Sequence, residues 1–425
     1  MKRVLLSLML IALVVGIAVA GCAKPAPAPT PAPTPAPAPP KTLDIAILTP
    51  LTGGAADFGT NVQNAILLAM DDQNKGIMMA GGQKEEGGIT IAGEKYMLNP
   101  IIRDTKMDVV LGKSLAEEMV FKNGIKVIAG PFLGDAVGAQ TVTEKNKVML
   151  FASVADISGL CGPKKPYTFF VVSGAHSCTV GLSAYIQKFY PDLKTVLTMS
   201  PDSPALAVWV NTAQQIMPRY GLEWQGVEKF PLDTKDFAPF ISRVLPKKPD
   251  IIDTGSTGGD MGALAALLVK QLREAGFSGV IMARTLPPPE VTMEVVPAQY
   301  LDKVCTGDVV MDSPVVSQAY KDMDQRYRQK FNTYTVTLNG MAYNGMKSFF
   351  EFLDGQNAMD TTAWMEGFAK HHWQGIWGTE AFWVGKPMFG IDRVLIMGFW
   401  SGEYKDGKPH TIWAAPVPWD IFVEE

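Results

Sequence analysis

Leu43-Asp44-Ile45-Ala46-Ile47-Leu48-Thr49-Pro50-Leu51-Thr52-Gly53, followed by Phe58-Gly59 and closed by Asp72-Gln73-Asn74-Lys75-Gly76, is the stretch from which the fold can be read. Leu43 to Thr49 reads as a strand. From Asn61 to Asn74 the apolar residues recur at helical spacing, with Ala65, Leu68, Ala69 and Asp72 marking the faces of an amphipathic helix. The alternation then repeats. Ile89 to Arg103 gives one or two strands with a turn at Gly93, and Val109 to Lys122 a helix. Lys126 to Ala129 is a strand ending in Gly130-Pro131, Ala136 to Lys145 a helix, and Val148 to Ala152 a strand. This is the βαβ pattern of a parallel sheet with helices on both faces.

The pattern restarts at Thr168 to Val172. A helix at Thr179 to Phe189, a strand at Thr195 to Met199 and a helix at Ala205 to Arg219 follow. Phe237 to Val244, Asp250 to Thr254, Met261 to Ala275 and Val280 to Ala283 continue it. Beyond Pro289 the alternation gives way to helices at Ser317 to Phe331, Asn339 to Asp354 and Thr361 to Lys370, then an aromatic-rich β end from Phe382 to Ile412. Two doubly wound units of similar size are expected, with a tail too small for a third domain that returns to both.

The 425 residues are 47% hydrophobic and 19% charged, with a formal net charge of -4 and four cysteines. That balance excludes a disordered chain, a coiled coil and a disulfide-stapled miniprotein, and offers no basic excess for nucleic acid. The apolar residues are unevenly spread. Met1-Lys2-Arg3 precedes an uncharged run from Val4 to Ala20, and Val19-Ala20-Gly21-Cys22 ends it with small residues before a cysteine, as in an export signal. The run is at the lower edge of what spans a bilayer, and no positive stop-transfer cluster follows Cys22. Those four residues resemble the lipobox of bacterial lipoproteins, which implies a signal peptide over 1–21 and acylation of Cys22 as the attachment to the lipid bilayer. Removal of Lys2 and Arg3 would leave the exported body two charges more negative. Residues 22–41 then form a Pro/Ala-rich tether. Lys24 to Pro40 is almost wholly Pro, Ala and Thr, a composition for polyproline II reaching about 50 Å at about 3.1 Å per residue.

Catalytic motifs are missing from the sequence. There is no phosphate-cradling G-x-x-x-x-G-K-[ST], no G-x-G-x-x-G after a strand, no G-x-S-x-G elbow and no H-E-x-x-H helix. Gly255-Ser256-Thr257-Gly258-Gly259 lacks dinucleotide spacing. His176, His371, His372 and His410 are the only histidines, and the adjacent pair points to different helix faces, so neither a metal nor a cofactor is expected. Cys161 and Cys178 either close a disulfide loop, worth about 3 kcal/mol in the chain-entropy model, or are two small buried hydrophobes. Cys305 is expected in a strand without a partner.

The opening stretch, Ile125-Lys126-Val127-Ile128-Ala129-Gly130, Lys147-Val148-Met149-Leu150, Asp236-Phe237, Pro249-Asp250-Ile251-Ile252, Gly255 and Gln271-Leu272-Arg273-Glu274-Ala275-Gly276-Phe277 occur in this order. Together they resemble the leucine/isoleucine/valine-binding family of ABC-transporter substrate-binding proteins, over about residues 42 to 400. The resemblance implies the type I periplasmic binding protein fold, an α/β architecture of two Rossmann-like lobes joined by three crossovers. Lobe one would be 42–172 plus 311–378, and lobe two 173–310 plus 379–425. Ligands of open α/β sheets sit beyond the carboxyl ends of the strands, so the loops after Thr49, Pro131, Ala152, Met199, Gly255 and Ala283 are the ones to watch.

Carried over motif by motif, the family's first-strand aromatic falls on Phe58, and its hydroxyl-rich loop on Leu133, Gly134 and Asp135. Its ligand-holding backbone falls on Ser153, Val154 and Ala155, its cross-lobe aromatic on Thr257 and its ammonium-binding acid near Thr285. Amino-acid binders of the family place a hydroxyl on the ligand carboxylate and a glutamate on its ammonium, whereas Ala155 and Thr285 stand at these positions. An unpaired buried ammonium costs several kcal/mol. A standard aliphatic amino acid is therefore disfavoured unless Asp135, Asp156 or Glu290 substitutes. Arg284 either faces a ligand carboxylate bidentately or is a surface residue at a strand end.

The expectation is a lipid-anchored, extracytoplasmic, monomeric and non-enzymatic receptor that closes around an amino acid, an amide or an organic or aromatic acid and delivers it to an ABC permease. A ligand sensor of the same fold and a surface hydrolase are the alternatives.

Overall fold

The computed structural model describes residues 40–415, apart from 154–158, 173, 204–206, 256–261, 285, 288, 308–312 and 397–398. The expected signal peptide, Cys22 and the expected tether up to residue 39 lie outside the described residues, and Lys41, expected to end the tether, already opens the first strand. In chain order, β1 (Lys41–Thr49) leads into α1 (Ala56–Asn74), the hairpin β2 (Ile89–Ile91) and β3 (Glu94–Asp104), and α2 (Val109–Glu117). Next come β4 (Val127–Ala129), α3 (Gly134–Asn146), β5 (Met149–Ala152) and β6 (Thr168–Phe170). The second half runs α4 (Gly174–Phe189), β7 (Thr195–Pro201), α5 (Ala207–Ile216), β8 (Glu223–Phe230), α6 (Ala238–Val244), β9 (Ile251–Asp253), α7 (Ala263–Glu274), β10 (Val280–Ala283), α8 (Pro289–Val295) and β11 (Val304–Thr306). The tail supplies α9 (Gln318–Phe331), α10 (Thr337–Leu353), α11 (Thr361–Phe368), β12 (Trp373–Gln374), β13 (Glu380–Val384), α12 (Lys386–Phe389), β14 (Val394–Ile396), β15 (Phe399–Lys405) and β16 (Lys408–Ala415).

Two sheets result, as the doubled βαβ pattern requires. The first has the order β12-β13-β14-β6-β5-β4-β1-β3-β2, the second β16-β15-β11-β10-β9-β7-β8. Neighbours from β6 to β3 are parallel, as are those from β11 to β8, and antiparallel pairs close both ends of the first sheet and one end of the second. Successive residues of the central strands alternate between faces. Ile45 and Ile47 pack with Val62, Ile66 and Phe349, while Ala46 and Leu48 pack with Ala116, Ala139 and Val142. In the second sheet Leu197, Ile252 and Ile281 face Leu268 and Leu272.

Three findings depart from the sequence expectations, and a fourth decides between two alternatives left open there. Helix α1 starts at Ala56, five residues early, because Gly59 lets it lie against β1's exit: a Cβ there would sit 1.7 Å from the Pro50 carbonyl oxygen. Strand β8 is an edge strand whose largely half-buried residues give no clean alternation. Strands β13 and β14 join the first sheet through Val394 and Phe170, although the sequence placed 379 onward with the second lobe. The final return to the second sheet therefore falls between β14 and β15. Finally, Cys161 and Cys178 are both thiols and not a disulfide, and burial pushes the Cys161 thiol up to about 12.

The residues at the end of α1 tie the tail to the first sheet. Asp72 accepts from Tyr343 Oη at 2.7 Å and Arg326 Nε at 3.0 Å. Gln73 accepts from the buried Lys347 Nζ at 2.7 Å, and Asn74 makes a reciprocal pair with the Leu98 backbone. Lys347 also donates to Glu351 at 2.9 Å. Burial lowers its pKa, and the Glu351 carboxylate works against that shift.

In the second sheet the corresponding tie is ionic. Arg284, just past β10, donates through Nε to Asp253 Oδ1 at 2.7 Å and through Nη2 to Oδ2 at 2.5 Å, with both side chains fully buried. Its Nη1 reaches Thr179 Oγ1 on α4 at 2.7 Å and, on α5, the Trp209 carbonyl at 3.0 Å and Thr212 Oγ1 at 3.2 Å. One guanidinium thus joins two strands to two helices. Arg284→Ala leaves Asp253 buried and unpaired and is expected to cost about 3–5 kcal/mol, measured as a lower urea midpoint. Replacing both partners with apolar residues, Asp253→Leu with Arg284→Met, should recover most of that loss. An unchanged midpoint in Arg284→Ala would refute the assignment.

Candidate functional site

Strand order locates the site. In the first sheet the order reverses between β1 and β4, and in the second between β7 and β9. Ligands of such sheets occupy the crevice outside the carboxyl ends of the strands at the reversal. The residues there are Thr49 and Gly130 in the first sheet, and Ser200 and Asp253 to Gly255 in the second.

At the first edge the chain leaves β1 through Pro50 and turns into α1. Asp104, ending β3, holds this turn: Oδ1 accepts from Leu51 N at 2.8 Å and Lys106 N at 2.9 Å, and Oδ2 from Thr52 Oγ1 at 2.6 Å. Burial raises the Asp104 pKa, but the Thr52 hydroxyl and the surrounding backbone N–H groups outweigh it and hold the carboxyl below the usual range. Phe58, in the first turn of α1, is buried against Phe132, with ring centroids 3.9 Å apart and planes inclined by 31°. Leu133 and Gly134 open α3. Asp135 turns back on that opening. Its Oδ1 accepts from Phe132 N, Leu133 N and Ala136 N at 2.9–3.1 Å, and its Oδ2 from Thr105 Oγ1 at 2.5 Å. Burial raises the pKa of this carboxyl against the pull of the four donors.

Two hydroxyls at this edge behave differently. Thr49 Oγ1 and Ser153 Oγ are fully buried and have no hydrogen-bond partner among the described residues. They lie on either side of β4. A Cβ on Gly130 would be 3.4 Å from Thr49 Cβ, and Ser153 N donates to the Pro131 carbonyl at 2.8 Å.

The second edge is closed by its own charges. Besides Arg284, Asp253 accepts from Thr198 Oγ1 at 2.8 Å and Gly255 N at 3.2 Å, and Trp224 Nε1 donates to Thr198 Oγ1 at 3.0 Å. The bidentate partner of Arg284 is therefore Asp253 and not a ligand carboxylate. Nor is Arg284 a surface residue. Both sequence readings of this position are corrected by its burial among α4, α5 and β9.

Of the expected site residues, Phe58, Leu133, Gly134, Asp135 and Ser153 gather at the first edge. Asp135 is occupied by backbone donors and cannot stand in for an ammonium-binding acid without giving them up. Val154, Ala155, Asp156, Thr257 and Thr285 lie outside the described residues, as does the side chain of Glu290. Among the described residues no cluster of His, Cys, Asp and Glu could hold a metal, and no helix is long and apolar enough to cross a membrane. Sequence reasoning missed Thr49, Asp104, Phe132, Thr198 and Asp253. Thr49 ends the opening motif, so its position was available; its lack of a partner was not.

The model of the periplasmic binding protein family matches residues 42–408. Solved structures of the same fold include the branched-chain amino acid transporter substrate binding protein LivJ from Streptococcus pneumoniae in complex with isoleucine. It is 18% identical with a TM-score of 0.66, over 88% of this chain and 99% of that one. A solute binding protein of an ABC transporter from Rhodopseudomonas palustris, in complex with 3,4-dihydroxy benzoic acid, is 20% identical with a TM-score of 0.64, over 89% and 99%. The leucine binding protein LivK from Thermotoga maritima is 17% identical with a TM-score of 0.62, over 88% and 99%. Identities this low establish a shared fold. The family match runs through both sheets, and the chain therefore belongs to the periplasmic binding protein family, in its two-sheet type I form.

Proposed function

We propose that this protein is the solute receptor of an ABC importer, held at the membrane by acylated Cys22. Its two lobes close on a small polar molecule and present it to the permease. Lobe one comprises 42–172 with 311–396, the end revised from 378 by the pairing of β13 and β14, and lobe two comprises 173–310 with 399–425. Closure about the crossovers is the working motion, and no covalent step is required. The observation that carries this reading is the pair of unpartnered buried hydroxyls, Thr49 and Ser153, on either side of β4 beside the reversal point of the first sheet. Buried hydroxyls ordinarily find partners, and here a ligand supplies them. Family membership and the ligands named in the related structures support a small-molecule cargo.

A thermal-shift panel of amino acids, amides and organic acids tests the reading. A ligand at 100 times its Kd should stabilise the protein by about 2.7 kcal/mol. Ser153→Ala and Thr49→Val each remove one donor to the ligand, so affinity should fall about tenfold. Each also removes an unsatisfied buried group, so the unliganded protein should be as stable as the parent or more so. Lower stability with unchanged affinity would sink the assignment. In the producing cell, a labelled fatty acid should be incorporated into the protein and not into Cys22→Ser, and label retained in the variant would refute acylation at this residue.

A further inference from the structure

Two cavities lie along the groove between the end of α1 and α9, and they meet at Ile77 and Arg326. Asn74, at the end of α1, bonds the Leu98 backbone, opposite Leu43 near the start of β1, so the groove lies at the other end of the sheet from the carboxyl edge. Gly81 and Gly82, both in the left-handed region with φ of 97° and 87°, reverse the chain so that Ile77 pairs with Gln83, and this short hairpin forms one wall. Ile77, Met78 and Met79 make that wall apolar, and Ala319 of α9 lines the same cavity, of about 350 Å³. That volume is within the range of small-molecule sites.

Charges in the two cavities are engaged differently. In the second, of about 380 Å³, Lys75 and Lys330 both reach Asp71 Oδ2, at 2.8 and 2.9 Å. In the first, Asp322 accepts from Gln318 Nε2 at 2.7 Å and makes no ion pair among the described residues. Arg326 stands one turn further along α9, the spacing at which acid and base ordinarily pair. Asp324 and Arg328, equally spaced on the same helix, do pair at 2.8 Å. Arg326 instead turns its Nε to Asp72 at 3.0 Å and its Nη2 to Tyr343 Oη at 3.3 Å, which leaves Nη1 without a partner among the described residues. One cavity thus holds a carboxylate and a guanidinium kept apart over an apolar floor.

We propose that this cavity binds a zwitterion whose ammonium and carboxylate are separated by an apolar spacer, at a second site apart from the cleft. The ammonium meets Asp322 Oδ2 and the carboxylate Arg326 Nη1, each through a charge-assisted hydrogen bond, while the spacer lies on Ile77, Met78 and Met79. Methionine side chains adapt to irregular apolar shapes. A ligand with only one of the two charges forgoes one such bond, which weakens binding about tenfold. Arg326 keeps its bonds to Asp72 and Tyr343 throughout, so binding does not require the tail to move.

The test is methionine-methyl NMR of the full chain, with the Met78 signal assigned by its loss in Met78→Leu, during titration with ε-aminocaproate, hexanoate and hexylamine. The first should shift the Met78 signal to saturation, and the two singly charged compounds should bind at least about tenfold more weakly. Asp322→Asn should weaken ε-aminocaproate about tenfold and leave hexanoate unchanged, a split that general loosening of the fold would not give. Ala319→Phe, which fills the cavity and keeps both charges, should abolish the shift with all three. No shift of Met78 with any compound, singly charged compounds binding as tightly as ε-aminocaproate, or no effect of Asp322→Asn would overturn the proposal. Tighter binding of leucine, whose ammonium and carboxylate share one carbon, would overturn the separation of charges. A shift that vanishes in a Ser153→Ala, Thr49→Val double variant would place the ligand in the cleft and overturn the second site, whereas a shift that persists there supports it. Each of these failures leaves the solute-receptor reading intact.

Discussion

A parallel sheet releases its chain at the same edge after each strand, so backbone donors without partners accumulate there. Leaving such a group buried and unpaired costs about 1–3 kcal/mol. This chain meets the demand with carboxylates: Asp104 for the turn after β1, Asp135 for the opening of α3, and Asp253 for the bend at Gly255. Each carboxylate brings a charge that must itself be balanced. Asp253 is balanced by Arg284, Asp135 by hydrogen bonds alone, and Asp104 by bonds and by its contact with solvent. The architecture at the reversal points is therefore pre-set before any ligand arrives, and a ligand must use what these three acids leave over.

The same logic explains how a tail without its own core is retained. Asp72, Gln73 and Asn74 are consecutive on the last turn of α1, and each takes a different partner: α9 and α10, then Lys347, then β3. Consecutive helical residues point in directions about 100° apart, so one turn can hold three elements at once. Lys347 is fully enclosed, and its ammonium is met by Gln73 and Glu351. A buried ion pair is weak evidence for stability but strongly penalises any arrangement that separates its partners. The tie thus fixes where the tail packs more than how tightly.

Much of the architecture was legible because it rests on local periodicity. Alternating strand and helix signals marked both sheets, and Gly93 and the opening motif marked turns that exist. What was not legible depends on partners distant in sequence. The side chain of Arg284 at a strand end is compatible with a ligand carboxylate, a surface position or Asp253, and only the pairing of β9 with β10 chooses among them. Strands β13 and β14 carry no local mark of which sheet they join; Phe170, more than two hundred residues upstream, decides it. Strand β8 was missed because an edge strand exposed along one side need not alternate. At the site, Phe58 and Ser153 were found through motif position, whereas the occupation of Asp135 by its own helix was invisible without coordinates.

Unpartnered buried hydroxyls do not by themselves mark a site. Ser183, within α4, and Ser401, within β15, also lack partners among the described residues, and neither lies at a strand's carboxyl edge. What separates Thr49 and Ser153 is position: Thr49 ends β1 at the reversal point, Ser153 follows β5 on the far side of β4, and both border the Gly130-Pro131 turn. Alanine or valine would fill either place without an unmet hydrogen bond, so stability alone gives no reason for a hydroxyl there. Local choices that conflict with the surrounding core are expected where function, and not folding, sets the residue. In this protein that conflict lies beside one of the two reversal points at which sheet topology independently puts a ligand. Agreement between the two lines, rather than either alone, is what supports the proposed recognition surface at the first-sheet edge.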